Sequence, residues 1–100
     1  EWDEAKRQAN LAKHGLDFLD VLSLFAHPER VELADIRRDY GELRRVTLDR
    51  GQGRLLHVTW TWRGQNRRLI SARKANPREQ SRYARIRQQP QLDHPGDPRR

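Results

Sequence analysis

Residues 55–63 constrain the fold more than any other stretch. Leu56, Val58, Trp60 and Trp62 take every second position, and His57, Thr59 and Thr61 fill the alternate ones. That period of two reads as a strand, rich in the β-branched and aromatic residues that suit a pleated surface. Gly51-Gln52-Gly53 precedes it and Gly64-Gln65-Asn66 follows it, and both read as tight turns. Residues 44–49 and 67–73 alternate on either side. Strands joined by turns this short pair antiparallel, so the middle of the chain is a meander. Residues 30–36 give a further strand upstream.

Helices flank this sheet. Residues 3–14 read as one, with Asp3 and Glu4 at the end that favours negative charge and Gly15 as the C-cap. Its apolar stripe is Trp2, Ala5, Ala9 and Ala12. Asp17 then caps a second helix, residues 18–26, which His27-Pro28 ends. Asn76-Pro77-Arg78-Glu79 opens a third, with Asn as N-cap and Glu at the capping-box position, running to about Gln89. Residues 90–100 carry several breakers and almost no apolar side chain, and read as a mobile basic tail. The expectation is one α+β domain over residues 1–89: two N-terminal helices, a four-stranded twisted antiparallel sheet and a C-terminal helix.

Composition narrows the function. Lys+Arg is 21 against 14 Asp+Glu, a formal charge of +7, and all but Lys6, Lys13 and Lys74 of the basic residues are Arg. A polyanion is the natural partner, since the guanidinium fork matches phosphate. No apolar run is long enough to span a membrane, so no membrane partner is expected. With no Cys there is no thiolate nucleophile, and a reducing cytoplasm fits. There is no phosphate-cradling glycine loop and no His pair at metal-ligand spacing, so neither metal nor cofactor is expected.

Period two sorts the sheet into faces. Val46, Leu48, Leu56, Val58, Trp60, Trp62, Ile70 and Ala72 are expected on one face, beneath the helices. Arg45, Thr47, His57, Thr59, Thr61, Ser71 and Arg73 are expected on an open, polar and basic one. On the third helix Arg78, Arg82, Arg85 and Gln89 line up as a cationic stripe beside Tyr83. Lys13 and His14 close a polar stripe on the first. RNA cleavage needs little more. The ribose 2′-OH is a built-in nucleophile that must be aligned and deprotonated while the phosphate's growing charge is stabilised. Arginine stabilises that charge, and a Glu or His moves the proton.

Three blocks then resemble one family. Glu1-Trp2-Asp3-Glu4-Ala5-Lys6 with Asn10-Leu11, Lys13-His14-Gly15 and Phe18 is similar to the opening of BrnT toxins. Tyr40-Gly41-Glu42, Arg44 and Val46-Thr47-Leu48 resemble the middle. Ile70-Ser71-Ala72-Arg73-Lys74-Ala75, Arg78-Glu79 and Tyr83 resemble the end. The resemblance implies a RelE-like fold and a metal-independent endoribonuclease of a type II toxin–antitoxin system that arrests translation. It also implies a BrnA-like antitoxin, through whose complex alone operator DNA is contacted. Asp49 stands where that pattern leads one to expect Gly, which argues that its turn lies outside the RNA groove.

The expected site follows. Arg44 and Arg73 bind the scissile phosphate of mRNA, free or on the ribosome, and Glu42 or His57 accepts the proton. Arg45, Lys74, Arg78, Arg82 and Tyr83 hold the strand, and Lys13 and His14 form a secondary polar stripe. Arg73→Ala is expected to slow cleavage with little change in melting temperature. Two other classes compete: a basic nucleic-acid binder without chemistry, and a protein-interaction module with a basic face.

Overall fold

The computed structural model describes residues 1–36 and 41–88. Tyr40, Gln89 and the expected tail at 90–100 lie outside the described residues. The order is α1 (Glu4–His14), α2 (Phe18–Val21), a 3-10 turn (Leu22–Ala26), β1 (Val31–Ala34), β2 (Arg44–Gly51), β3 (Arg54–Arg63), β4 (Asn66–Lys74) and α3 (Pro77–Gln88). The four strands form one antiparallel sheet in sequence order. The expected α+β architecture is present.

Local signals explain the helix ends. The Asp3 carboxylate accepts the Ala5 and Lys6 N–H groups, and Gly15, at φ 72°, donates its N–H to Leu11 O. Asp17 caps α2 through Leu19 N–H. Asn76 and Glu79 close a reciprocal capping box. Glu79 N–H donates to Asn76 Oδ1 at 2.8 Å, and Asn76 N–H donates to Glu79 Oε1 at 2.9 Å. The second helix is shorter than expected, because after one α turn the chain tightens to 3-10 geometry before His27.

The faces of the sheet differ from the alternation read in the sequence. Gly51 pairs with Arg54, so the loop between β2 and β3 is Gln52-Gly53 alone, with φ of 54° and 79°. A two-residue turn places even-numbered residues of β2 opposite odd-numbered residues of β3; reading Gly51-Gln52-Gly53 as the whole turn inverts this. Val46 and Leu48 therefore share a face with Thr59 and His57, while Arg45 and Thr47 stand beside Trp60 and Val58. In β4 the register shifts at Thr59/Trp60, so Leu69 pairs with Trp60 and fills the core position expected for half-buried Ile70.

Both faces are consequently covered. Leu56, Val58, Trp60, Leu69 and Ala72 pack against Leu16, Phe18, Val21 and Leu24, with Trp2 and Phe25 at the margin. On the other face Val31, Val46, Leu48, Leu55 and Ala75 pack against Tyr83 of α3, with Leu33 and Ile86 beside them. The expected open polar face is roofed in part by α3, and His57, Thr59 and Thr61 are buried.

α1 docks by a polar contact rather than by its alanines, which are exposed. Asn10 is buried, donates through Nδ2 to Leu16 O and Ala72 O, and accepts Ala72 N–H, each at 2.9 Å. It ties α1 to both the α2 lead-in and β4. Asn10→Ala strands three buried backbone groups and should cost about 2–4 kcal/mol. Urea unfolding monitored by Trp fluorescence measures this, and a loss within error of zero refutes the tie.

Candidate active site

The β3–β4 register sets His57 directly across from Arg73. α3 starts four residues after Arg73, and its capping box aims Glu79 back over the same pair. Glu79 then serves three partners. Its Oε1 accepts from Arg73 Nη1 and its Oε2 from Arg73 Nη2, both at 2.8 Å, a fork on a carboxylate. His57 Nε2 lies 3.3 Å from Oε2. His57 is nearly buried, whereas Arg73 and Glu79 keep part of their side chains in solvent. Burial pushes the Glu79 carboxyl up, but the Arg73 hydrogen bonds, the Asn76 N–H and the charges of His57 and Arg73 outweigh it and hold it at about 2.

A cavity of about 130 Å³ opens beside this cluster. Val46 and Leu48 floor it, Asp35 and Ile36 form one wall, and Glu79 and Arg82 of α3 form the other. Across α3 lies a larger cavity of about 400 Å³, whose charged lining is Arg50, Arg54, Lys74 and Arg87, with Tyr83 between. The two clefts flank one helix, one holding the carboxylate–histidine pair and the other a cationic trough.

The expected site residues divide among these places. His57 and Arg73 meet, and Arg82 reaches the same cleft. Arg44 is on their face of the sheet, opposite Thr61, with its Nε donating to Glu42 Oε2 at 3.1 Å. Glu42 is thus held at the far end of the sheet, also 3.7 Å from Arg63 Nη2. Arg45 does not join them, because the register puts it on the opposite face beside Trp60. Lys74 lines the cationic trough, Arg78 is exposed on the first turn of α3, and Tyr83 is buried in the core with burial pushing its hydroxyl pKa up. Lys13 is exposed; burial and the Lys13 and Arg73 charges push the His14 imidazole pKa down, so the end of α1 lies within the field of Arg73.

Asp49, expected at the end of the second strand beside a turn outside the groove, lies in β2 and is buried, with its Oδ2 2.7 Å from His27 Nδ1. Glu79 was legible only as a cap. Its second role could have been found from Arg73, six residues upstream on a strand that must return under the helix. Arg50, Arg54 and Arg87 carried no sequence signal, since only the fold places them beside Lys74.

A sheet roofed by helices on both faces, with a histidine, an arginine and a carboxylate gathered under a basic helix, defines a small α+β domain built for anionic substrates. The chain belongs to the BrnT family: residues 2–79 match the model described as "Ribonuclease toxin, BrnT, of type II toxin-antitoxin system". Membership makes it a ribonuclease toxin of that kind, with RNA as substrate class and an antitoxin as partner. No match among curated proteins accompanies it. No described helix is long and apolar enough to cross a membrane.

The depressed Glu79 pKa has a consequence for stability. The carboxyl titrates near 4.5 when unfolded and at about 2 when folded. Its contribution is therefore complete above pH 4.5 and is lost as pH falls toward 2. Glu79→Gln should lower stability at pH 7 and flatten acid denaturation across that window. Unfolding curves at pH 7, 4 and 3 check this; parallel losses at every pH would refute it.

Proposed function

We propose that the chain cleaves RNA endonucleolytically and without a metal ion, through attack of a ribose 2′-OH on the adjacent phosphate. The observation that carries this reading is the His57–Glu79–Arg73 cluster at a cleft mouth in a chain of ribonuclease-toxin family. His57 takes the 2′-OH proton, with Glu79 fixing the imidazole; as the P–O2′ bond forms the P–O5′ bond breaks, and the leaving 5′-oxygen takes its proton from water. Arg73 turns from Glu79 to the scissile phosphate and stabilises the negative charge that builds there. Because the guanidinium supplies that charge, no metal is needed.

Arg44 and Thr61 are cross-strand partners, and Thr61 is four residues along β3 from His57, roughly 13 Å. Arg44 therefore holds a neighbouring part of the strand, and Glu42, tied to Arg44, lies too far along the sheet to share the His57 role. Arg82 and Arg78 guide the RNA along α3, and Lys74 holds its backbone in the trough. Tyr83 supports that trough from the core. Lys13 and His14 lend positive field near Arg73, and Arg45 contacts RNA only where it rounds the sheet end. The RelE-like domain comprises residues 1–89. It acts on cytoplasmic mRNA, arrests translation, and is neutralised by a BrnA-like antitoxin, through which alone it meets operator DNA.

The geometry also changes what Arg73→Ala should do. Removing the fork leaves a half-buried carboxylate without its main partner, so both stability and activity should fall. Arg73→Lys and His57→Gln are cleaner. Each should slow cleavage of single-stranded RNA in EDTA by about 100-fold or more, and wild-type fragments should end in 2′,3′-cyclic phosphate. RNA that stays intact both free and on translating ribosomes, yet binds with steep salt dependence, would instead mark a non-catalytic binder.

A further inference from the structure

Among the described residues Trp62 is the large aromatic side chain that the fold leaves most in solvent, 47% exposed near the end of β3. It is not loose. Its ring meets Trp60 edge-on at 5.0 Å between centroids, and Trp60 is buried. The Arg67 guanidinium lies 5.1 Å from its centroid, and 4.8 Å and 4.4 Å from those of Trp60 and Phe25. One side of the indole is thus fixed by a cation and a second ring, while about half of the residue faces water.

The exposed side looks into a cavity of about 350 Å³, walled by Glu42, Leu43, Arg45, Thr61 and Arg63. Two arginines flank a flat, rigid aromatic surface. Leu43, 83% exposed, extends the apolar rim. Thr61, on the face that carries His57, also lines the cavity, and Glu42 holds Arg44 of that face at 3.1 Å, so the cavity spans the end of the sheet.

We propose that Trp62 is a nucleobase-stacking subsite for single-stranded RNA, with Arg45 and Arg63 holding the phosphates on either side. A planar base matches the open indole face, and backbone charge matches the flanking cations. This assigns Arg45, which the sheet register removes from the His57 cluster, a place on the RNA path. The proposal rests on the ribonuclease reading for its ligand, yet concerns binding and not the chemical step.

The test uses the full chain and 2′-O-methyl RNA hexamers, which lack the attacking hydroxyl, with inorganic polyphosphate as a base-free polyanion. Trp62→Leu should weaken hexamer binding roughly 5- to 150-fold at fixed salt, while leaving polyphosphate binding unchanged. Trp62→Phe should stay within about threefold of wild type. On cleavable RNA, Trp62→Leu should raise KM far more than it lowers kcat. Equal losses for both polyanions would overturn the subsite, marking a charge or folding effect. So would unchanged hexamer affinity; cleavage by wild type would then leave the ribonuclease reading standing. Loss of antitoxin binding with RNA affinity retained would overturn it in favour of a protein interface. A wild-type chain that neither binds nor cuts RNA would fell both readings.

Discussion

The two-residue turn at Gln52-Gly53 is the constraint on which the rest depends. Both residues sit at positive φ, which glycine adopts freely and Gln52 does at some cost. Because the loop is two residues long, every residue of β2 is locked to one partner on β3. A third loop residue would turn β2 over, moving Val46 and Leu48 to the Val58–Trp60 face and leaving α3 without its apolar floor. In the register adopted, the apolar residues of β2 make a floor for α3. Only with that floor can α3 lie across the sheet and bring Glu79 to Arg73 and His57. The turn thus decides, from a distance, where the candidate chemistry assembles.

Glu79 then sets the electrostatic state of that site. A lone carboxylate would repel RNA, and a bare guanidinium half out of water would be unanchored. Paired, they make a neutral fork that holds the guanidinium in one orientation beside His57. A phosphate competes for Arg73 on nearly equal terms, since both ligands are bidentate oxyanions. The exchange returns Glu79 to the Asn76 N–H and to His57, which a protonated imidazole would strengthen. Proton uptake by His57 and release of Arg73 therefore favour one another, which suits a step that needs both.

Local signals in the sequence were strong where one residue decides the outcome. Asp3, Gly15, Asp17 and the Asn76–Glu79 box each cap as their chemistry requires. Arg73 and His57 could be placed on one face because each follows from period two within its own strand. The relation between strands was not legible to the same degree. Parity across the β2–β3 turn hung on whether Gly51 belonged to the loop or the ladder, and the sequence Gly-Gln-Gly permits both. The irregularity in β4 that replaces Ile70 by Leu69 has no local mark. Asn10 was hidden for another reason: a polar residue at i+4 from Lys6 looks like a solvated stripe until the sheet presents the Ala72 backbone to it.

The charge of the chain, seen in three dimensions, divides its labour. Among the described residues, Arg50, Arg54 and Lys74 of the trough have no carboxylate within salt-bridge distance, whereas Arg44 and Arg73 are braced by Glu42 and Glu79. An unpaired cation draws in a polyanion at long range and yields little discrimination. An arginine braced by a carboxylate is attracted less, but it is held in a fixed orientation. Affinity would then come mainly from the trough and alignment from the braced arginines. On the proposed reading, an antitoxin that covered only the trough would slow capture of RNA and leave the chemistry intact, so full neutralisation would require contact with the His57 cleft as well.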